Sequence, residues 1–304
     1  MESTRAQQSP LTPLIERADA TRRSSHSELA RSWRRFRRYR LGMAGLVVIV
    51  LLGAVAIFAP LIAPYSPYTV DTSRIGEAPS LAHPFGFDGI GRDVLSRTIY
   101  GTRVALLVGL LSTAIAVAIG VVIGALAGYF GGWIDSMLSR IIDALMAFPL
   151  LVLLVTLSAV FSPSLKTTII VIGVTAWASY ARLVRADVLS IRERDYIQAA
   201  RAAGANNSRI IRRHIMPNGL GPVITIASLG IGGIIILEAA LSFLGLGVRP
   251  PTPSWGGDLS SAREYIQVYP HMAIAPGVLI TITVLSFNLI GDGLRDALDP
   301  REKE

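Results

Sequence analysis

The chain has 304 residues, 51% hydrophobic and 16% charged, with a mean hydropathy of +0.51; a typical soluble domain carries about 25% charge, and here the apolar residues stand in long blocks, which excludes an ordinary soluble fold and points to a membrane. It has no cysteine, excluding disulfides, thiolate metal sites and cysteine nucleophiles, and its four histidines (His26, His83, His214, His271) are too scattered for a metal or catalytic cluster. The net charge of +8 comes almost wholly from arginines beside apolar blocks, so it reads as lipid contact and not as nucleic-acid binding.

Residues 1–40 form a polar, basic tail, expected cytoplasmic, too long and too charged for a signal peptide. Its first part, to about Ser27, has the composition of a disordered segment. From Leu29 the sequence turns Arg-rich, with Leu29, Trp33, Phe36 and Arg40 on one helical face, which predicts an interfacial helix or a plain charge anchor.

Six apolar blocks follow, each a candidate for the roughly 20 residues that a helix needs to cross a bilayer. They are Leu41 to Ala63, a stretch within Val104 to Ile134, Ala144 to Phe161, Thr167 to Ala181 with Leu183 and Val184, Leu220 to Leu241, and Met272 to Gly291. Lipid leaves no free backbone group satisfied, so the expected fold is all-α with six spans in a permease region over 41–299, before a short tail at 300–304. The second block ends in Gly120, Gly124 and Gly128, a stripe that lets helices approach closely. With the N-terminus inside, 22 Lys and Arg lie on inner segments and 7 on outer ones, so both termini are expected in the cytoplasm of a multi-pass cell-membrane protein. The outer loops are then 63–103 and 242–271, and the long inner loop is 182–218.

That inner loop is the most patterned part of the chain. Asp195 and Gln198 suggest a capping box, Gly204 a helix stop, Asn207 or Ser208 a second cap, and Pro217 the end of a second short helix. Tyr196, Ala199, Ala200 and Ala203 fall on one face of the first helix, and small side chains there suit a partner's groove or packing within the chain.

The segment resembles the EAA loop of ABC importer permeases, E-A-A-x3-G-x9-I-x-L-P. Gln198-Ala199-Ala200, Gly204, His214 and Pro217 keep its spacing, while Gln198, His214 and Met216 replace Glu, Ile and Leu. His83-Pro-Phe-Gly86, Gly91-Arg92-Asp93, Leu95-Ser96-Arg97, Tyr100-Gly101, Leu241-Ser-Phe243-Leu-Gly245-Leu-Gly247 and Pro253-Ser-Trp255-Gly256 are similar to stretches of the C-type permeases of dipeptide and oligopeptide importers. The resemblance spans about Arg34 to Asp299. It implies the type I ABC importer permease fold and a peptide-translocating subunit. Implied partners are a second, B-type permease subunit, two ABC ATPase subunits or domains and an external substrate-binding protein. In that family the short loop helix couples ATPase closure to rocking of the spans, a role that falls here on Tyr196, Gln198, Ala199, Ala200, Ala203, Gly204, Arg212, His214 and Pro217.

A phosphate-cradling loop needs Gly before Lys. The two lysines follow Leu165 and Glu302, so this chain has no catalytic residues or cofactor of its own, and ATP and Mg are expected on partner subunits. Glu238, Asn288, Trp255 and Asp258 are pore or outer-gate candidates. Glu238 could instead sit at the interface, solvated or hydrogen-bonded in the outer loop, and Trp255 could be an interfacial anchor. Asp143 is expected to pair with Arg140, and Asn288 and Asp292, near the inner end of the last span, either cap or line the pore or are simply solvated at the helix end. The spans hold few charges, which speaks against a proton-coupled carrier. Nickel or another small solute stands as the alternative cargo. A secondary transporter is more remote, and a membrane enzyme lacks any acid–base or metal cluster.

Overall fold

A computed structural model describes residues 31–298. The disordered-tail reading of residues 1–27, Leu29 of the interfacial face and the 300–304 tail lie outside the described residues. The segment 31–38 is helical, with Phe36 buried and Trp33 half exposed. The Phe36 ring fills the gap left by Gly42 and Gly293, which seats the basic segment on the inner end of the last helix.

Helix α1 is Arg40–Ile62. Pro60 lacks an N–H, which leaves the Ala56 carbonyl without its helical donor. Arg103 supplies one, donating to Ala56 O and, at 2.9 Å, to Ile57 O. Helix α2 is Val94–Phe130, 37 residues, capped by Asp93, whose carboxylate accepts from Ser96 N–H at 2.8 Å. It begins ten residues before the expected outer-loop boundary, because that cap and the run after it carry no breaker.

The third block departs from expectation. It forms α3, Gly132–Ala147, and α4, Leu150–Val160, bent by 86°. Pro149 excludes the helical conformation from the residue before it, and Phe148 is extended at φ −91, ψ 136. Eleven residues rise about 17 Å, roughly half the hydrocarbon thickness, so α4 cannot cross alone. Among the described residues five helices are long and apolar enough to span, and the bent pair makes the sixth where it is taken as one broken span. Helix α5, Leu165–Arg192, is longer than its apolar core and carries the chain into the inner loop. Two short helices follow, α6, Asp195–Ala202, and α7, Asn207–Ile210, then α8, Met216–Phe243, α9, Trp255–Ala262, and α10, His271–Leu298.

The glycine stripe of α2 lies on α5. A Cβ on Gly120, Gly124 or Gly128 would stand 2.6, 2.5 and 2.8 Å from α5 atoms, in the last two cases a backbone carbonyl oxygen. Gly124→Val is therefore expected to cost about 1–3 kcal/mol by overpacking, read as a lower thermal midpoint of the detergent-solubilised chain. An unchanged midpoint would mean the two helices do not need this spacing. Asp143 does not pair with Arg140. It meets Arg182 of α5 at 2.5 Å, and Asp135 meets Arg185, because the bend at Pro149 lays α3 across the inner half of α5.

Candidate functional site

The inner loop forms two short helices on an apolar base. Ile197, at 0% exposure, is the one large aliphatic side chain of α6 and turns inward. With Ile210 and Ile215 it joins Val184, Val188 and Ile191 of α5 and Ala125 and Tyr129 of α2 in one buried cluster. The opposite face is left open. Tyr196 is 40% exposed, Ala199, Ala203, Gln198 and Gly204 are exposed, and Ala200 is half-buried. Arg212 and Pro217 are also exposed, and the His214 ring lies 6.5 Å from that of Tyr196. All nine of these residues are exposed or half-buried, and none belongs to the buried cluster.

The ends of α6 are built differently from the sequence reading at one side and as read at the other. The Asp195–Gln198 capping box does not form. The cap position is Arg194, whose carbonyl accepts from Ile197 and Gln198 N–H, and no side chain caps the helix. Gly204, at φ +81, ends it. Ala205 N–H donates to Ala200 O at 3.0 Å and Gly204 N–H to Arg201 O at 2.9 Å, the two bonds of a Schellman turn. The cap of α7 is Asn206, not Asn207 or Ser208, and its side chain accepts from Arg209 N–H at 2.8 Å.

Pro217 does not end the second helix. The chain runs from α7 through a π turn, Ile211–Ile215, directly into α8. A wider turn accommodates a proline ring that would strike the carbonyl four residues back. The Asn218 side chain also donates to His214 O at 2.5 Å, satisfying a carbonyl at this break. The second short helix of the loop and the fifth span are therefore one continuous rod, Asn207–Phe243.

At the outer end the candidates turn out to be internal. Glu238 is 1% exposed and not solvated; it accepts from Ser242 Oγ at 2.7 Å, and that hydroxyl accepts from Val248 N–H at 3.2 Å. Trp255, 1% exposed, donates from Nε1 to Thr98 O at 3.0 Å and packs on Gly101, so it neither anchors in the interface nor faces a partner at the surface. Both were mistaken for loop or rim residues because α9 folds back over α8; a Cβ on Gly256 would lie 2.2 Å from Ala239 O. Asp258 meets Arg97 at 2.5 Å, and Arg97 also donates to Pro67 O and Pro251 O. Arg97 lies 3.8 Å from Asp88, which in turn holds Arg92 at 2.7 Å. Burial pushes the Asp258 carboxyl up, against the pull of the Arg97 guanidinium beside it, and its Oδ2 is buried without a hydrogen-bond partner. His83 and Asp93, 2.9 Å apart, complete this outer cap. Asn288, by contrast, is exposed on α10, beside Gly232 of α8.

Residues that the sequence reading missed are Ile197, Ile210, Ile215, Tyr129 and Arg192. A lone isoleucine on a polar eight-residue helix was the available signal for the first.

Residues 120–304 match a family described as binding-protein-dependent transport system inner membrane component, and residues 27–84 match the N-terminal TM domain of oligopeptide transport permease C. The dipeptide transport system permease protein DppC of Alkalihalophilus pseudofirmus is 43% identical over 249 residues, 82% of each chain. The glutathione transport system permease protein GsiD of Pectobacterium atrosepticum is 42% identical over 272 residues, 89% of this chain and 90% of the relative. Among solved structures, the inward-facing MetNI methionine ABC transporter matches with a TM-score of 0.57 and 22% identity, over 67% of this chain and 97% of the other. That likeness carries the fold alone.

Proposed function

The chain belongs to the binding-protein-dependent transport system inner membrane component family, and from that premise we propose that it is the C-type permease subunit of an ABC importer that carries di- and oligopeptides into the cytoplasm. The peptide assignment is supported by relatives named for dipeptide and glutathione transport and by the oligopeptide-permease match at residues 27–84. A second permease subunit completes the pore, an external binding protein delivers the peptide, and two ATPase subunits supply the energy with ATP and Mg on their side. Both termini lie in the cytoplasm, supported by the bias of 22 to 7 cations.

One observation carries the reading. Helix α6 is locked to the spans by Ile197 and offers its Tyr196–Ala199–Ala203 face to the outside. A face of small side chains admits a close partner, and Ile197, packed with Ile210 and Ile215, joins that contact to the π-turned rod that runs from Asn207 into α8. Closure of the ATPase pair then displaces α6, and the spans move as bodies between inward- and outward-facing states.

The absence of native cysteine makes a single introduced thiol unique. Ala203→Cys is expected to cross-link to a nucleotide-binding subunit in native membranes, and peptide uptake by the purified complex to require the binding protein and ATP. Cross-linking to no ATPase would remove α6 as the docking element.

A further inference from the structure

The inner end of α2 is tied to the docking loop by polar contacts that α6 itself does not need. The last carbonyls of a helix lack intrahelical donors. Arg192, at the end of α5, supplies one, donating to Gly128 O at 2.9 Å. The next residue, Tyr129, is 5% exposed and sits inside the cluster that holds Ile197, Ile210 and Ile215. Its hydroxyl donates to Asn207 Oδ1 at 2.8 Å, and the Arg201 guanidinium of α6 lies 5.5 Å over its ring. Asn207 is free to accept that bond because Asn206 performs the capping of α7.

These contacts differ in kind from the apolar ones around them. Burial of isoleucine faces is non-directional and lets one surface slide on another. A hydrogen bond, here a part-buried one whose acceptor Asn207 is itself exposed, is directional and is lost on a shift of about an ångström. Resting on the function proposed above, we propose that Tyr129 is a positioning residue for coupling. Its bond to Asn207 pins the register between the docking helices and the inner end of α2, so that displacement of α6 reaches the spans instead of being lost as slippage. The ring, held under Arg201, links α6 to the same point, so α6, α7 and α2 meet on one side chain.

The test uses the full complex with its binding protein in proteoliposomes and measures ATP hydrolysed per radiolabelled dipeptide taken up. Tyr129→Phe keeps the ring and removes the donor; Asn207→Ala removes the acceptor and keeps the Asn206 cap. Each is expected to raise the ratio about 3- to 10-fold, the range one neutral hydrogen bond supports. The double variant is expected to raise it no further, since both changes delete one bond. Asn207→Asp retains an acceptor and is expected to stay within about twofold of the parent ratio. A parent ratio in either single variant, or additive effects in the double, would overturn the pin, as would a lowered thermal midpoint with the ratio unchanged. The unsubstituted complex reads the underlying function separately. Lack of ATP-dependent uptake there defeats the importer reading, whereas normal uptake with unaltered ratios in the variants defeats only the role of Tyr129.

Discussion

Gly204→Asp is expected to lower ATP-driven uptake about 5- to 30-fold while the chain still inserts and assembles. Gly204 sits at φ +81, where an L side chain costs about 1–2 kcal/mol, and that energy is a factor of about 5–30 in a two-state equilibrium. Nothing lies within 4 Å of a Cβ there, so the cost is backbone strain and not collision. The chain relieves that strain by opening the Schellman bonds to Ala200 and Arg201. The end of the docking helix then shifts, and aspartate adds a charge to its open face. Gly204→Asn, which tolerates the left-handed region better, is expected to retain more uptake. The readings are uptake, ATP hydrolysis and the amount of chain in the membrane. Full uptake by Gly204→Asp would take the turn out of the coupling path.

The largest loss of stability is expected from Arg97→Ala. Arg97 is 4% exposed and is the cation between Asp258 and Asp88, while holding the carbonyls of Pro67 and Pro251. Its removal leaves the buried Asp258 carboxylate without its ion-pair partner, while Asp88 keeps Arg92, and deleting one partner of a buried pair costs about 3–5 kcal/mol. The expected result is a sharply lowered thermal midpoint in detergent and a fall in membrane yield. Replacing both partners with apolar residues of similar size, Arg97→Met with Asp258→Leu, is expected to recover much of the loss. If Arg97→Ala melts with the parent, the outer cap is not held by this ion pair.

Much of this protein was legible residue by residue. Six apolar blocks announced six spans, of which five lie in helices long enough to cross and the third is the bent pair, and Gly204 announced a stop that only a residue free at positive φ makes without strain. The glycine stripe of α2 announced close packing, though not that α5 is its partner. Errors arose where a local signal had two outcomes. Pro149 and Pro217 are both breakers. The first bends the chain by 86°, and the second is absorbed by a π turn and continues the helix. At Pro217 the wider π turn makes room for the ring and the helix continues, with the Asn218 side chain donating to His214 O beside it. Asp195 and Asn207 are good caps by composition, yet Arg194 and Asn206 hold those positions, because Ile197 must point into the cluster and that sets the start of each turn.

From the sequence alone came the membrane class, the spacing of the proposed docking segment, and the expectations that the Arg-rich loop lies inside and that ATP is hydrolysed by a partner. Each rests on quantities that accumulate along the chain: hydropathy, charge count, spacing, and the lack of a phosphate loop. Tertiary structure alone decided which faces are open and which are buried. Trp255, Asp258 and Glu238 read as outer-surface chemistry and became internal supports, since α9 folds back onto α8 and α2. Tyr129, to which the sequence attached no role, is the partner of Asn207, 78 residues away. Contacts across such separations depend on where helices cross, and crossing is set by the packing of many side chains at once.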